Sequence, residues 1–227
     1  MKHEPFNESI EMYLKAVHEL AHGDDMVPIS GLARWLGVST VSATEMVHRL
    51  EEQGLLEHKP YRGIQLTETG SERAAQIIRT HRLWECFLAD KLHLSWADAH
   101  DYACRLEHAT AEAVVDALDV FLGHPTTCPH GNPVEPGRAS DQEQQIMPLS
   151  DLPVGEGAVV HAIRPESALL LDYLSNHGVR PGQEIVLQEI APFSGPLMVR
   201  VGSAVHAFSE EAAAHIFVLR RPAEDSS

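Results

Sequence analysis

Apolar residues recur at helical spacing along the first half of the chain, and short β-prone runs replace them along the second half. Residues 7–22 predict an amphipathic helix. Its apolar face contains Ile10, Tyr13, Leu14, Val17, Leu20 and Ala21. Met12 lies almost opposite this face, among charged residues. It is therefore either an ordinary exposed methionine or a side chain that needs a partner outside this helix.

A pair of short helical patterns follows. The first ends at Gly37, and Ser39 can cap the second, which runs to about Glu52. Two short helices joined by a turn containing glycine predict a helix-turn-helix. The segments LLEH and IQLT, joined by KPYRG, predict a hairpin wing that carries Lys59 and Arg62.

The first half of the second helix is small and hydroxylated. It contains Ser39, Thr40, Ser42 and Thr44. Such residues suit close approach to phosphates and base edges better than they stabilise a helix, which favours binding to DNA. A three-helix core that binds no DNA is the alternative, and Glu45 on the same helix counts in its favour.

Thr67 predicts the start of a long helix that continues to about Leu92, and a further helix or pair of helices ends at Gly123. The apolar stripe near the end of this region is broad enough to pack against another chain. It contains Val114, Val115, Leu118, Phe121 and Leu122. Residues 124–148 are rich in Pro and Gly and predict a linker of mostly extended backbone.

From about residue 149 the pattern becomes β-prone. GAVVHAI, QEIVLQEI, PLMVRVG and HAFSE predict strands, SALLLDYLSNHG predicts a helix, and Ser209 can cap a short last helix. The pattern as a whole predicts an α+β protein that ends in a small β-barrel. The expected parts are a winged helix-turn-helix at 1–75, a helical domain at 76–125, a linker at 126–148 and a β domain at 149–222.

The 227 residues carry a formal net charge of −16, which counts against a polyanionic partner. However, 15 histidines accompany 33 acidic residues, and transition metals bind this combination. Bound divalent cations would offset part of the charge, and an acidic surface kept for solubility is the alternative. The chain has no apolar run long enough to span a bilayer, no signal-peptide pattern and no disulfide framework, so a cytoplasmic protein is expected.

Four potential metal ligands fall within the nine residues HDYACRLEH. They point from one side of one helix, at about 100° per residue, and are His100, Cys104, Glu107 and His108. His81 and Glu85 share a face of the preceding helix. Because one ion about 2.0–2.3 Å from each donor cannot satisfy all six, two neighbouring sites are expected. The donor mixture favours Fe(II), Zn, Co, Ni or Mn, and a solvated helix face with scattered histidines is the alternative.

Five motifs agree in order and spacing with a known family. EMYLKAVHEL, the winged helix-turn-helix, THRLWE, HDYACRLEH and PHGNPVEPG resemble the diphtheria-toxin-repressor family of metal-dependent transcriptional repressors. The resemblance covers about residues 7–137, and the tail resembles the SH3-like, FeoA-type domain of longer members. It implies a homodimer, with residues 76–125 as the metal-binding and dimerisation domain. When metal is bound, the dimer would bind palindromic operator DNA and control metal-uptake genes.

The resemblance also implies two metal sites per chain. The primary site would use Met12, Cys104, Glu107 and His108. The ancillary site would use His81, Glu85, His100 and, from the last domain, Glu166. Leu169 stands where the family has a further amide ligand, so this site is one ligand short. Cys128 and His130 resemble a pair in some manganese-responsive members, and they would fill this place or form a third site.

The resemblance favours Fe(II), because Met and Cys in the primary site accompany iron in the family. Mn(II) is the alternative, which Cys128 and His130 favour. The positions that resemble DNA-contacting residues are Ser39, Thr40, Val41, Ser42, Thr44, Glu45, Arg49 and Arg62. Val41 replaces a proline and Glu45 replaces a glutamine, which predicts a changed base preference.

Two other classes of function remain open at the level of sequence. His, Glu and Cys around an open ion could activate water in a metalloenzyme, although the sequence offers no separate base or nucleophile motif. A DNA-binding protein with structural zinc would hold one ion tightly and unfold without it. A sensing site would instead exchange its metal and leave a folded metal-free protein.

Overall fold

The computed structural model describes residues 5–21, 25–136, 145–193 and 195–220, with side chains from Glu8 onward. It contains a helical unit with a two-stranded hairpin, a second helical unit and a C-terminal sheet, which confirms the α+β class. Among the described residues, no helix is both long enough and apolar enough to cross a membrane.

The N-terminal unit packs three helices on a small hairpin. Its elements are α1 (Pro5–Leu20), α2 (Ile29–Leu36), α3 (Thr40–Glu52), β1 (Leu56–Lys59) and β2 (Gly63–Leu66). The buried side chains of Leu14 and Leu50 belong to one core that joins these elements. The predicted ends of α2 and α3 are confirmed, whereas α1 ends at Leu20, before the predicted end at residue 22. Gly37 ends α2 at a φ of 67°, and the Ser39 hydroxyl accepts a hydrogen bond from the backbone N–H of Ser42 at 3.1 Å.

The second helical unit contains the ligand-rich segments. Its elements are α4 (Glu68–Cys86), a π-helical turn (Phe87–Lys91), α5 (Trp96–Leu106) and α6 (Glu112–Leu122). Thr67 caps α4 as predicted. The regular helix ends before Leu92, where the pattern had placed its end, because its last turn widens into the π-helix. Glu107 is the C-cap of α5, and His108 lies in the turn that follows, so the predicted helix pair is confirmed.

The C-terminal unit is a six-stranded antiparallel sheet with strand order β3-β8-β4-β5-β6-β7. Its elements are β3 (Ile146–Pro148), β4 (Gly157–Ile163), α7 (Ala168–Asn176), β5 (Glu184–Ile190), β6 (Leu197–Val201), β7 (Ala204–Phe208), α8 (Glu210–Ala214) and β8 (Ile216–Arg220). The four predicted strands, the helix and the Ser209 cap are confirmed. Strands β3 and β8 were not predicted. β3 lies in the segment expected to be linker, and it pairs Met147 with Val218.

Packing contacts within and between these units determine where the ligand-rich residues lie. Helix α1 packs on α4, and α5 packs on both α4 and α7. The turn after α6 lies against β4, because the backbone N–H of Ile163 donates to the carbonyl of His130 at 2.9 Å. The start of α1, the middle of α4, the end of α5 and the loop after β4 therefore surround one region.

Candidate metal centre

Imidazole, carboxylate and thiol groups from four parts of the chain meet in this buried region. They come from α4, α5, the turn after α6 and the loop after β4, and are His81, Glu85, His100, Cys128, His130 and Glu166. All of them except His100 are buried. Buried ionisable groups are costly unless they pair with each other or bind a cation, so the cluster requires an electrostatic explanation.

The carboxylate of Glu85 lies between two histidines. Its Oε1 is 2.8 Å from Nε2 of His81 and 2.9 Å from Nδ1 of His100. Glu166 Oε2 lies 3.5 Å from the same nitrogen of His100. All four side chains hold donor atoms within 4.8 Å of one another. The structure thus brings together the residues predicted for the ancillary site, whereas Leu169 is 84% exposed and supplies no donor.

Glu85 and Glu166 also face a second pair of donors, Cys128 and His130. Nδ1 of His130 is 3.3 Å from an oxygen of each carboxylate. Within the described part of the chain, neither ring nitrogen of His130 nor Oε2 of Glu85 has a hydrogen-bond partner. Polar atoms buried in this way are rare and costly, and a cation between them would satisfy them.

Asn132 ties this second pair to the C-terminal unit. Its Nδ2 donates to the carbonyl of Ile163 at 2.8 Å and also to Oε1 of Glu166. One carboxylate oxygen of Glu166 is thereby held in place, and the other faces the histidines. The sequence analysis did not include Asn132, although it lies within the PHGNPVEPG motif.

Histidines and carboxylates in this cluster keep each other charged. Burial opposes the charge on His130, but Glu85 and Glu166 raise its pKa well above the ordinary value. Burial likewise opposes the charge on His100, but hydrogen bonds to Cys104, Glu166 and Glu85 raise its pKa to about 11. Burial and mutual repulsion oppose ionisation of Glu85 and Glu166, yet the histidines lower both pKa values well below the ordinary range.

A cavity of about 510 Å³ lies beside this cluster, between α1, α5 and the start of α7. The four residues predicted for the primary site line it, and they are Met12, Cys104, Glu107 and His108. The thioether of Met12, on the charged side of α1, is 44% exposed and borders this cavity. The structure therefore places the predicted primary residues around one space.

Two cationic groups hold Glu107. Its Oε2 is 2.8 Å from Nζ of Lys15 and 2.5 Å from Nδ1 of His81. Burial would raise the pKa of Glu107, but Lys15 and His81 lower it to about 2. Lys15 is itself buried, and although burial opposes its charge, Glu107 raises its pKa above the ordinary value. The ammonium group of Lys15 thus places a positive charge next to Glu107, a predicted metal ligand.

His81 links the two groups of residues. Its Nδ1 contacts Glu107 beside the cavity, and its Nε2 contacts Glu85 in the buried cluster. The two predicted sites therefore form one continuous network rather than two separate ones.

The ring of His108 is oriented by a carboxylate that the sequence analysis did not include. Its Nδ1 is 2.8 Å from Oε2 of Glu11, and its Nε2 is 3.3 Å from Oε1 of Glu107. A carboxylate on one imidazole nitrogen is the usual support of a metal-binding histidine, because it fixes the ring and leaves the other nitrogen free for the metal. Glu11 directly precedes Met12, a predicted ligand, so its position in the sequence could have indicated that it lies near the site.

Cys104 is turned toward the histidines of the cluster. Its Sγ lies 3.8 Å from Nε2 of His100, and its donor atom groups with those of His81 and His100. Burial raises the pKa of the thiol, but hydrogen bonds to His100 and His81 lower it to about 6. The thiolate, which is the metal-binding form of cysteine, therefore predominates at neutral pH.

Residues predicted to contact DNA lie along α3 and on the hairpin. Ser39, Val41, Ser42, Glu45 and Arg62 are exposed, and so are Thr40 and Arg49. Thr44 is only half-buried, and its hydroxyl donates to the carbonyl of Thr40 at 2.7 Å. Val41 is 69% exposed.

Comparison with known proteins assigns the chain to a family. The family model for the N-terminal DNA-binding domain of iron-dependent repressors matches residues 5–64. The model for their metal-binding and dimerisation domain matches residues 67–136, and a FeoA-domain model matches residues 147–220. The chain belongs to the iron-dependent repressor family.

Curated relatives of the family match most of the chain. The sequence is 31% identical over 211 residues to the iron-dependent repressor IdeR of Mycobacterium tuberculosis (strain ATCC 25618 / H37Rv), which covers 86% of this chain and 90% of that protein. It is 33% identical over 190 residues to the diphtheria toxin repressor of Corynebacterium efficiens, which covers 78% and 82% respectively.

Solved structures of manganese-dependent members are also similar. A manganese-dependent transcriptional repressor in complex with manganese gives a TM-score of 0.81 at 29% identity, covering 93% of this chain and all 100% of that one. The repressor ScaR with bound Cd²⁺ gives a TM-score of 0.79 at 27% identity, covering 92% and 98%.

The donor atoms of this chain fit the transition metal that the family names imply. Imidazole, thiolate, thioether and carboxylate donors together suit Fe(II), Mn(II) and their neighbours rather than Ca²⁺ or Mg²⁺. Among the residues that the structure describes, neither nitrogen of His130 nor Oε2 of Glu85 makes a hydrogen bond, although His130 and Glu85 lie in ion-pair contact, and this gives a structural reason for a cation at this place.

Proposed function

We propose that this protein is a homodimeric transcriptional repressor that binds operator DNA when a divalent metal is bound, with Fe(II) as the activating ion. The observation that carries the proposal is the buried donor cluster that joins α1, α4, α5 and the C-terminal unit in a chain with an exposed winged helix-turn-helix. Its targets would be metal-uptake genes, and it would act in the cytoplasm.

In this proposal Met12, Cys104, Glu107 and His108 hold the primary ion. When bound, that ion supplies positive charge at the carboxylate that Lys15 neutralises in the metal-free protein. The thiolate of Cys104 needs no further proton loss at neutral pH, because its pKa is about 6. Glu11 orients His108, so that one ring nitrogen faces the cavity.

The ancillary donors serve a different purpose in the proposal. His81, Glu85, His100 and Glu166, with Cys128 and His130, hold one ion or two, and they join the helical units to the C-terminal unit. Cys128 and His130 take the place left by Leu169, because they face Glu85 and Glu166 directly. His81 bridges this group to Glu107, so occupancy of one site changes the electrostatic surroundings of the other.

Metal binding affects DNA binding through α1. Met12 lies on α1 and the other primary donors lie at the end of α5, so a shared ion fixes α1 relative to the dimerisation helices. In a dimer this fixes the separation of the two recognition helices, which must match the roughly 34–36 Å repeat of successive major grooves. The linkage is reciprocal, and about 1–3 kcal/mol of coupling corresponds to a change of about 5–150-fold in affinity.

The dimer contact is assigned to α6. Val120 and Phe121 are 64% and 65% exposed, and Val114 is 50% exposed, while Val115 and Leu118 pack into the core of their own chain. An apolar face of this kind on a short helix is typical of a surface that another chain covers.

Fe(II) is proposed over Mn(II) because the primary site contains a thioether and a thiolate, which are soft donors. The Cys128 and His130 pair and the manganese-dependent structural relatives support Mn(II) as the second candidate. The two ions are distinguished by the same measurement that tests the function.

The test is anaerobic fluorescence anisotropy of the full chain on DNA from upstream of its own gene, with chelator, Fe(II), Mn(II) or Zn(II). Tighter binding with Fe(II) or Mn(II) than with chelator is the expected result, and the ion that activates at the lower free concentration is assigned as the activator. Equal affinity in all conditions, on DNA shown to contain a binding site, would overturn the proposal.

Met12→Ala tests the primary site in the same assay. It should abolish metal-activated DNA binding while leaving the folded state intact, because Met12 is on the surface of the cavity and outside the core. Met198→Ala on β6 is the matched control, since Met198 lies in the C-terminal sheet away from both donor groups. Full activation of Met12→Ala by metal would remove Met12 from the site.

A further inference from the structure

Three side chains of the types that bind metals lie together outside the centre described above, at the junction of α3 and β1. His48, Glu51 and His58 hold donor atoms within 4.8 Å of one another. They belong to the DNA-binding unit, and nothing in the proposed metal-activated function uses them.

The sequence places these residues on facing surfaces of two rigid elements. His48 and Glu51 are three residues apart on α3, so they project from the same face of the helix. Strand β1 follows after a tight turn at Gly54, which has a φ of 69°. Leu56 and His58 share one face of β1 by strand alternation, and Leu56 is buried in the same core as α3. His58 therefore points toward α3, while Glu57 and Lys59 point away.

A hydrogen bond holds one oxygen of the Glu51 carboxylate and leaves the other facing His48. Its Oε1 accepts the backbone N–H of His58 at 3.1 Å, which fixes the side chain against β1. Its Oε2 lies 3.7 Å from Nδ1 of His48, which is too long for a strong hydrogen bond. The rings of His48 and His58 meet at 74° with centroids 5.8 Å apart. Two imidazoles and one oriented carboxylate thus face one small space.

The space is open to solvent and therefore to ions. His48 and Glu51 are exposed, and His58 is half-buried. Two histidines and one carboxylate on one side of an ion leave its remaining positions for water, as in known sites of this composition. The set has no sulfur donor, unlike the centre that contains Met12 and Cys104.

We propose that His48, Glu51 and His58 form a surface site for Zn(II) or a similar borderline transition metal, and that this ion clips the hairpin wing to the recognition helix. For a nitrogen- and oxygen-donor site, affinity rises from Mn(II) and Fe(II) toward Ni(II), Cu(II) and Zn(II). Zn(II) is therefore expected to bind here more tightly than Mn(II) or Fe(II). It fixes Arg62 on the wing relative to the exposed start of α3.

Zinc binding to the full chain at equilibrium tests the site, with bound Zn(II) per chain measured after dialysis at constant free Zn(II). The test variant is His48→Ala combined with His58→Gln, and it should bind one ion fewer than the unmodified protein. The matched control is His93→Asn combined with His124→Asn. These are two exposed histidines whose positive φ values, both 56°, asparagine tolerates. The control should bind as many ions as the unmodified protein.

Histidine ring resonances of the ¹³C-labelled protein give a second and local readout. The signals of His48 and His58 should change together on addition of Zn(II). In Glu51→Gln the zinc concentration needed for that change should rise by about tenfold or more. Glu51 is exposed, so this variant remains folded even if the double variant does not. Equal zinc content in all proteins, or ring signals of His48 and His58 that do not respond to zinc, would overturn the proposal.

Discussion

Lys15 is the residue on which the balance between the metal-free and metal-bound states depends most directly. Its ammonium group lies 2.8 Å from Glu107 in a buried position, where it takes the electrostatic place of a metal. Any ion at the primary site must therefore compete with a cation that is covalently part of the protein. Under the proposed function, this competition would weaken metal binding and so favour exchange of the ion.

Lys15→Met should consequently change the stability of the metal-free protein and its metal affinity in opposite directions. Removing one partner of a buried ion pair is destabilising, and the loss should stay below the about 3–5 kcal/mol of a fully unpaired charge, because His81 still contacts Glu107. With one cation fewer beside it, this carboxylate should bind Mn(II) about tenfold more tightly or better, which is about 1.4 kcal/mol. The measurements are chemical unfolding of the metal-free protein and calorimetric titration with Mn(II).

Lys59→Met is the control for Lys15→Met. Lys59 is exposed and its nearest carboxylate, Glu57, is 3.8 Å away on the surface, so both quantities should stay close to those of the unmodified protein. A Lys15→Met protein whose metal affinity is unchanged or lower would show that the lysine does not compete with the ion.

Among the elements, helices and their caps could be predicted from the sequence, because each depends on neighbouring residues. Ser39 and Thr67 cap α3 and α4 through backbone groups three residues away, so the signal lies within one short segment. The turn after α6 could not be predicted in the same way. It was expected to be part of an extended linker, yet Cys128 and His130 are buried because the turn docks on β4, a segment distant in the chain.

The same reason explains which parts of the candidate site were predictable. The ligand types on α4 and α5 follow from spacing within single helices and from the family resemblance. That Lys15 pairs with Glu107, or that Asn132 holds Glu166, depends on contacts between elements far apart in sequence. Strand β3 was missed for a related reason. It is only three residues long, which is too short to show the alternation of apolar and polar residues of a strand, and it forms by pairing with β8.

Gly131 is the residue that permits the turn after α6 to dock on β4. Its φ is 86°, and a Cβ atom here would lie 2.0 Å from the backbone carbonyl oxygen of His161. Gly131→Ala should therefore push the turn away from β4 and separate Cys128 and His130 from Glu85. The expected result is less metal bound per chain and a Cys128 thiol that reacts with a thiol reagent, whereas the thiol is buried in the unmodified protein.

Gly182→Ala separates the effect of this contact from that of backbone strain. Gly182 has nearly the same φ, 85°, but nothing lies within 4 Å of a Cβ atom built there. Both variants bear the cost of a left-handed alanine, about 1–2 kcal/mol. Only Gly131→Ala should lose metal and expose Cys128. If the two variants bind the same amount of metal, the docking of the turn is not what forms the site.

For the whole molecule, the net charge of −16 opposes approach to DNA, so the positive charge needed there must be local or must come from bound ions. Arg49, in the last turn of α3, and Arg62, on the hairpin, are exposed and supply the local part. In the proposed function, divalent ions at the donor cluster would reduce the overall repulsion as well as fix α1. Part of the metal effect on DNA binding should therefore weaken as the salt concentration rises.

Protons and metal ions compete for the same donors across this molecule, which determines how metal binding depends on pH. His81, His100 and His130 have raised pKa values, which favours their charged forms, and with a pKa of about 11 His100 carries its proton at pH 7 in the metal-free protein. The stability that these protons contribute is full below the unfolded-state pKa of about 6.5 and is lost as the pH rises through the folded-state values. Glu85 and Glu166 have lowered pKa values and are already ionised, so they have no proton to release.

Metal binding at pH 7 should therefore release about one or more protons per chain, and metal affinity should rise with pH between 6 and 8. Calorimetric titration with Mn(II) in buffers of different ionisation enthalpy measures the number released, because the observed heat then varies linearly with that enthalpy. His100→Ala should release fewer protons than the unmodified protein. Heats that are independent of the buffer would mean that the histidines are already neutral before metal binds. The neighbouring carboxylates would then not keep the histidines protonated.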